Sequence, residues 1–106
     1  MKDTLSNDEF LAYTLLYCAN ADFEVSKSEI DLIKKKVGRD ALISAEKFYE
    51  QDSDFERIQK IKAYTKSYSD EEKKKLYADM ISLFSSDGDF DRLEQNIMRA
   101  LKQVID

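Results

Sequence analysis

One eight-residue pattern occurs twice in the chain, 65 residues apart and without a gap: Asp22-Phe23-Glu24-Val25-Ser26-Lys27-Ser28-Glu29 and Asp87-Gly88-Asp89-Phe90-Asp91-Arg92-Leu93-Glu94. Acid matches acid at the first, third and eighth places, an apolar residue stands fourth, and a helix-capping residue, Ser26 or Asp91, follows it. Glu29 and Glu94 each lie three residues beyond their cap. That is the spacing of a capping box, in which the cap side chain accepts from a first-turn N–H and the glutamate accepts from the cap's own N–H. A strongly apolar stretch precedes each copy, and Gly88 offers a backbone free to take positive φ just past a helix end. The unit therefore reads as helix, tight acidic turn, helix. Leu11, Leu15, Leu16 and Cys18 align with Leu76, Met80, Ile81 and Leu83 at the same offset, whereas beyond the motif the match fades, with Ile30 facing Gln95. The expectation is a pseudo-two-fold duplication of two such hairpins.

Composition supports an all-α fold. Proline is absent, glycine occurs only at Gly38 and Gly88, and Lys, Glu, Leu, Ile and Ala are plentiful, a mixture that favours helix throughout. A chain of 106 residues, 42% hydrophobic, forms one domain, 1–106, and buries roughly two-thirds of the surface its unfolded form exposes. The net charge of −5 opposes nucleic-acid binding, which gathers Lys and Arg against phosphate. The lysine runs Lys34–Lys36 and Lys73–Lys75 are interleaved with acids on helices and read as solvated faces. Cys18, the single cysteine, sits in an apolar helix as a small hydrophobe. It allows no disulfide within the chain, and the reducing cytoplasm is the expected compartment. No apolar run approaches the ~20 residues of a membrane span, so direct membrane insertion is not expected.

Five box-type starts, at Ser6, Ser26, Ser53, Ser69 and Asp91, agree with the hydrophobic periodicity of the helices they open. The first helix, from Ser6 to about Asn20, is apolar on nearly every face, which places it centrally. A second, Lys27 to Val37, carries Ile30, Ile33 and Val37 on one stripe, and Gly38 ends it. Asp40 is expected to cap a third over Ala41 to Glu50. A fourth opens at Ser53 and runs to about Tyr68, with Phe55, Ile58, Ile61, Tyr64 or Thr65, and Tyr68 inward. A fifth spans Asp70 to Ser85 and a sixth Arg92 to Ile105.

Ala21 through Glu29, followed by Ile30 and Ile33, resembles the Ala-Asp-Gly-Glu-Val-x-x-x-Glu signature of the tellurite-resistance TerB-like family, and Ser86 through Glu94 resembles its second occurrence. Phe23 stands where the family pattern has glycine. The resemblance spans essentially the whole chain and implies about seven short helices, a divalent-cation site formed by Asp22, Glu29, Asp87 and Glu94, and association with stress-response or envelope-linked complexes. Independently of it, the alternating carboxylates Asp87, Asp89 and Asp91, with Glu24 in the first copy, offer the oxygen ligands that hard cations such as calcium, magnesium or manganese prefer. An EF-hand is excluded by spacing, because Glu94 closes the loop at its eighth place and the glycine stands second. The competing reading makes the aspartates turn residues and the glutamates caps, leaving a helical protein–protein adaptor. Catalysis is not expected: the chain has no histidine to serve Cys18 as a base, and a hydrolase would need paired carboxylates in a cleft. Tyr13 and Tyr17, one turn apart, are the tyrosines expected to meet a protein partner or a second copy of the chain.

Overall fold

The computed structural model describes residues 5–21, 27–85 and 92–105, the side chains of Ala21 and of residues 92–94 excepted. These residues form six helices: α1 (Asn7–Ala21), α2 (Lys27–Val37), α3 (Arg39–Gln51), α4 (Asp54–Thr65), α5 (Asp70–Phe84) and α6 (Arg92–Ile105). The radius of gyration is 12.7 Å, close to the ~13 Å expected of a packed domain of this length.

Helix α1 organises the bundle because it has no polar side to turn outward. Phe10, Ala12, Tyr13, Leu15, Cys18 and Ala19 are all buried, and they point in different directions around the helix. Burial on every side requires neighbours on every side, and α2, α3, α4 and α5 all pack on α1. The two hairpins expected from the repeat are present as packed pairs, α2 on α1 and α6 on α5, and α1 and α5 pack against each other. Their surroundings differ. Helix α3 packs on α1 and α2, whereas α4 spans α6 and α1. Lys36 on α2 also reaches Asp79 on α5, at 2.9 Å.

Three helix starts show the reciprocal box geometry. The Ser6, Ser53 and Ser69 hydroxyls accept from the N–H groups of Glu9, Glu56 and Glu72 at 3.2 Å each. The three glutamates accept in return from the serine N–H groups at 2.9, 2.8 and 3.0 Å. The boxes expected at Ser26 and Asp91 lie outside the described residues.

Two expectations about local structure are corrected. Helix α3 starts at Arg39, with Gly38 as its N-cap and no side-chain cap bond, so Asp40 lies in the first turn. Gly38 takes φ +89°, ψ 160°, a region open essentially to glycine alone. Its N–H closes α2 on the Lys34 carbonyl at 2.8 Å, and its carbonyl opens α3 by accepting from Leu42 at 3.2 Å. A single residue therefore ends one helix and begins the next. Phe55, expected inward, is 72% exposed. On α4 the buried stripe is Ile61 and Thr65 with Ile58 half-buried, and Phe55 lies round the helix from it.

The side chain of Thr14 is buried in the core, and its hydroxyl oxygen meets no hydrogen-bond partner among the described residues. Thr14→Val keeps the branched shape and removes the unmatched hydroxyl, so it is expected to raise stability by about 1 kcal/mol in urea unfolding. For Gly38→Ala the added Cβ would meet nothing within 4 Å, leaving backbone strain as the only effect. A loss of about 1–3 kcal/mol is expected from that strain; an unchanged unfolding midpoint would show that the corner accommodates other conformations.

Candidate functional site

Of the residues expected to bind a cation, Asp22, Glu24, Asp87, Asp89 and Asp91 lie outside the described residues. Glu94 stands on α6, its side chain likewise outside the description. Glu29 is described, and its setting is distinctive. It occupies the first turn of α2, where the helix dipole favours a negative charge, and it is only 2% exposed. Burial pushes the Cys18 thiol well above its ordinary value, and the Glu29 carboxylate pushes it in the same direction. The end of α1 and the start of α2 thus enclose a carboxylate beside a protonated, fully buried thiol. Among the described residues, no three acidic, cysteine or histidine side chains gather as a metal-ligand set.

Beside this end of α1, a concavity of about 410 Å³ opens between the first four helices, lined by Leu16, Asn20, Ile30, Glu46, Tyr49 and Arg57. Asn20 and Ile30 lie on the two sides of the first acidic turn in the chain. Tyr17, half-buried, stands near Tyr49, Asp54 and Arg57; burial, followed by the Asp54 charge, raises its hydroxyl above the ordinary tyrosine value. Part of its side chain remains at the surface.

That of Tyr13 does not. It is 0% exposed, and its hydroxyl donates to Asp52 Oδ2 at 2.6 Å, so the expectation that it meets a partner is corrected to a core role. The same Asp52 oxygen accepts from Lys60 Nζ at 2.6 Å, and that ammonium lies 5.2 Å from the Tyr13 ring centre and 5.1 Å from that of Phe48. Arg57 straps the same corner. Its Nε and one terminal nitrogen donate to the Tyr49 carbonyl at 3.0 and 2.7 Å, the other reaches Asp54 at 2.9 Å, and its guanidinium covers the Tyr49 ring at 3.7 Å. Asp52, Arg57 and Lys60 thereby join α1, α3 and α4. None of them belongs to a recognisable sequence motif, because Asp52 stands 39 positions from Tyr13 and meets it only when the chain folds back.

Two opposing influences act on Asp52. Burial alone would raise its carboxyl, but hydrogen bonds from Lys60 and Tyr13, with the charges of Lys60 and Arg57, outweigh it and hold the group below the ordinary carboxylate value. Burial, reinforced by the bond to Asp52, raises the Tyr13 hydroxyl. The cluster is thus a neutral phenol and an ammonium donating to one carboxylate, an arrangement that locks geometry.

No helix among the described residues is long and apolar enough to cross a membrane. Compared with known protein families, curated proteins and solved structures, the chain matches none.

The Asp52 cluster generates a pH dependence. The unfolded carboxyl takes up a proton at higher pH than the folded one, so the stabilisation is complete above about pH 4 and is lost as pH falls through the folded value. Tyr13→Phe is expected to cost about 1–2 kcal/mol near neutral pH. Asp52→Asn should cost more and flatten the acid limb of the stability curve. A parallel acid limb in Asp52→Asn would locate the acid sensitivity elsewhere.

Proposed function

We propose that this chain is a non-enzymatic helical binding module whose paired acidic turns take up a divalent cation. Asp22, Asp87, Glu29 and Glu94 would hold calcium, magnesium or manganese. In the manner that the TerB-like resemblance implies, the module would serve a stress-response or envelope-associated protein complex from the cytoplasm. The observation carrying this reading is Glu29. A carboxylate 2% exposed must be compensated by donors or opposite charge. The first turn of α2 offers such compensation through its amides and dipole. A cation with oxygen ligands would supply a full opposite charge at the same place. The concavity with Glu46 on its wall, between α1 and the start of α2, adds carboxylate surface beside the end of α1. Against catalysis stand the lack of any histidine and the protonated, buried state of Cys18, which leave no activated nucleophile.

A specific observation favours a second reading, a protein–protein adaptor whose acids are caps only. Glu9, Glu56 and Glu72 occupy the same box position as Glu29 and Glu94 and accept from their caps with no cation involved. Glu9 is even buried while doing so. On that reading Glu29 is a fourth such cap and Glu94 a fifth.

Thermal unfolding after chelation, with calcium, magnesium or manganese then restored, separates the two. A cation that binds only the folded chain stabilises it by about 2.7 kcal/mol at a hundred times its dissociation constant. The expected result is a rise in midpoint for the wild type that Asp22→Ala/Asp87→Ala lacks. If no ion moves the wild-type midpoint, the cation reading fails and the adaptor reading stands.

A further inference from the structure

Helix α4 presents an outward face on which no other described element packs. Phe55, Glu56, Gln59, Lys62, Ala63 and Lys66 are all exposed there, on the side opposite Ile61 and Thr65. Phe55, 72% in solvent, is the most exposed large hydrophobic side chain among the described residues. Beside it runs a shallow concavity of about 450 Å³ lined by Phe55, Gln59, Ala63 and Tyr64 together with the charged Asp52, Glu56 and Lys60, with Ala63 leaving room for an incoming ring. The charges along the face are ordered: Glu56 lies toward its start, Lys62 and Lys66 at and just beyond its end.

We propose that this face is a self-association surface on which two copies of the chain pair antiparallel about Gln59. The face is self-complementary in that direction only. Antiparallel pairing centred on Gln59 sets Phe55 level with the second copy's Ala63 and Glu56 level with its Lys62. The acidic end of each helix then lies along the basic end of the other, as an isologous two-fold contact requires. Parallel pairing would place acids beside acids and lysines beside lysines. Both Phe55 rings, exposed in the monomer, leave water together, and the neighbouring lysine stems pack over them. Glu56 Oε1 is engaged by the Ser53 N–H, which leaves its other oxygen to face the second copy. A single helix pair covers less than the roughly 1,200 Å² of stable complexes, so the dimer is weak, with a dissociation constant of about 10 μM to 1 mM. The inference stands on α4 alone and is independent of what the acidic turns bind.

Sedimentation of the full chain from micromolar to about millimolar concentration is expected to show a monomer–dimer equilibrium. Phe55→Asp, at an exposed position, should keep the helical circular-dichroism spectrum and raise the dimer dissociation constant by more than about tenfold. Lys62→Glu sets an acid level with the second copy's Glu56 and should shift it in the same direction by a smaller factor. Gln59→Cys lies at the proposed axis and should form a disulfide-linked dimer on oxidation; Lys35→Cys, on the exposed face of α2, should not. A monomer at every concentration overturns the proposal. So does a dimer indifferent to Phe55→Asp, or equal cross-linking through Lys35→Cys.

Discussion

The structure depends on a helix that has nowhere to face water. Phe10, Ala12, Tyr13, Leu15, Cys18 and Ala19 distribute apolar surface right round α1, and each fully buried large side chain contributes about 1.5–3 kcal/mol relative to exposure. That gain is available only if neighbours close on all sides. Four of the other five helices do so, and each can remain amphipathic because α1 absorbs the hydrophobic demand. The lysines of α2 and the acids of the first turn of α5 are outward as a result. The burial of α1 and the polarity of its shell are two sides of one constraint.

Hydrophobic burial is not directional, and it would tolerate several rotations of α3 and α4 about α1. Direction comes from polar contacts at one corner. Tyr13 and Lys60 converge on a single Asp52 oxygen, and Arg57 ties α4 back to the last turn of α3 through the Tyr49 carbonyl. A second anchor lies at the other end of the central helix, where the Tyr64 ring stacks on Phe10 with centroids 4.7 Å apart and the Tyr64 hydroxyl accepts from the Leu5 N–H at 2.6 Å. Between them these contacts hold the α3–α4 link against both the middle and the start of α1. Misplacing them would strand a phenol and two charges in a partly dry setting, so they select one packing among those that hydrophobicity allows.

Along the chain the acidic stretches separate α1 from α2 and α5 from α6, and there the chemistry is local. Glu29 sits at a helix start, in a position whose N–H groups and dipole favour a carboxylate with or without a cation. Its 2% exposure comes from packing, since the capped glutamates Glu56 and Glu72 occupy the same box position and remain exposed. Charged groups shared between helices thus belong to two classes here. One class ends helices; the other, typified by Asp52, joins them.

Those classes also divide what could be read from residues alone. Helix starts at Ser6, Ser53 and Ser69, the all-α class, the central place of α1 and the pairing of α1 with α2 and α5 with α6 were legible in the sequence. Capping, propensity and hydrophobic periodicity act over three to seven residues and need no knowledge of the rest of the chain. The start of α3 is not legible in the sequence, because Gly38 reads as a stop and only its φ of +89° shows that the same residue also starts the next helix. Phe55 reads as inward in the sequence because it keeps helical spacing with Ile58 and Ile61. Spacing gives the period of a stripe but not its width, and the shell helices of so small a domain bury a narrow one. Tyr13 and Tyr17 are indistinguishable by type and neighbourhood in the sequence. Only the folding of Asp52 and Lys60 onto one of them makes Tyr13 a buried donor and leaves Tyr17 at the rim, since long-range partners depend on the path of the whole chain and leave no trace in local pattern.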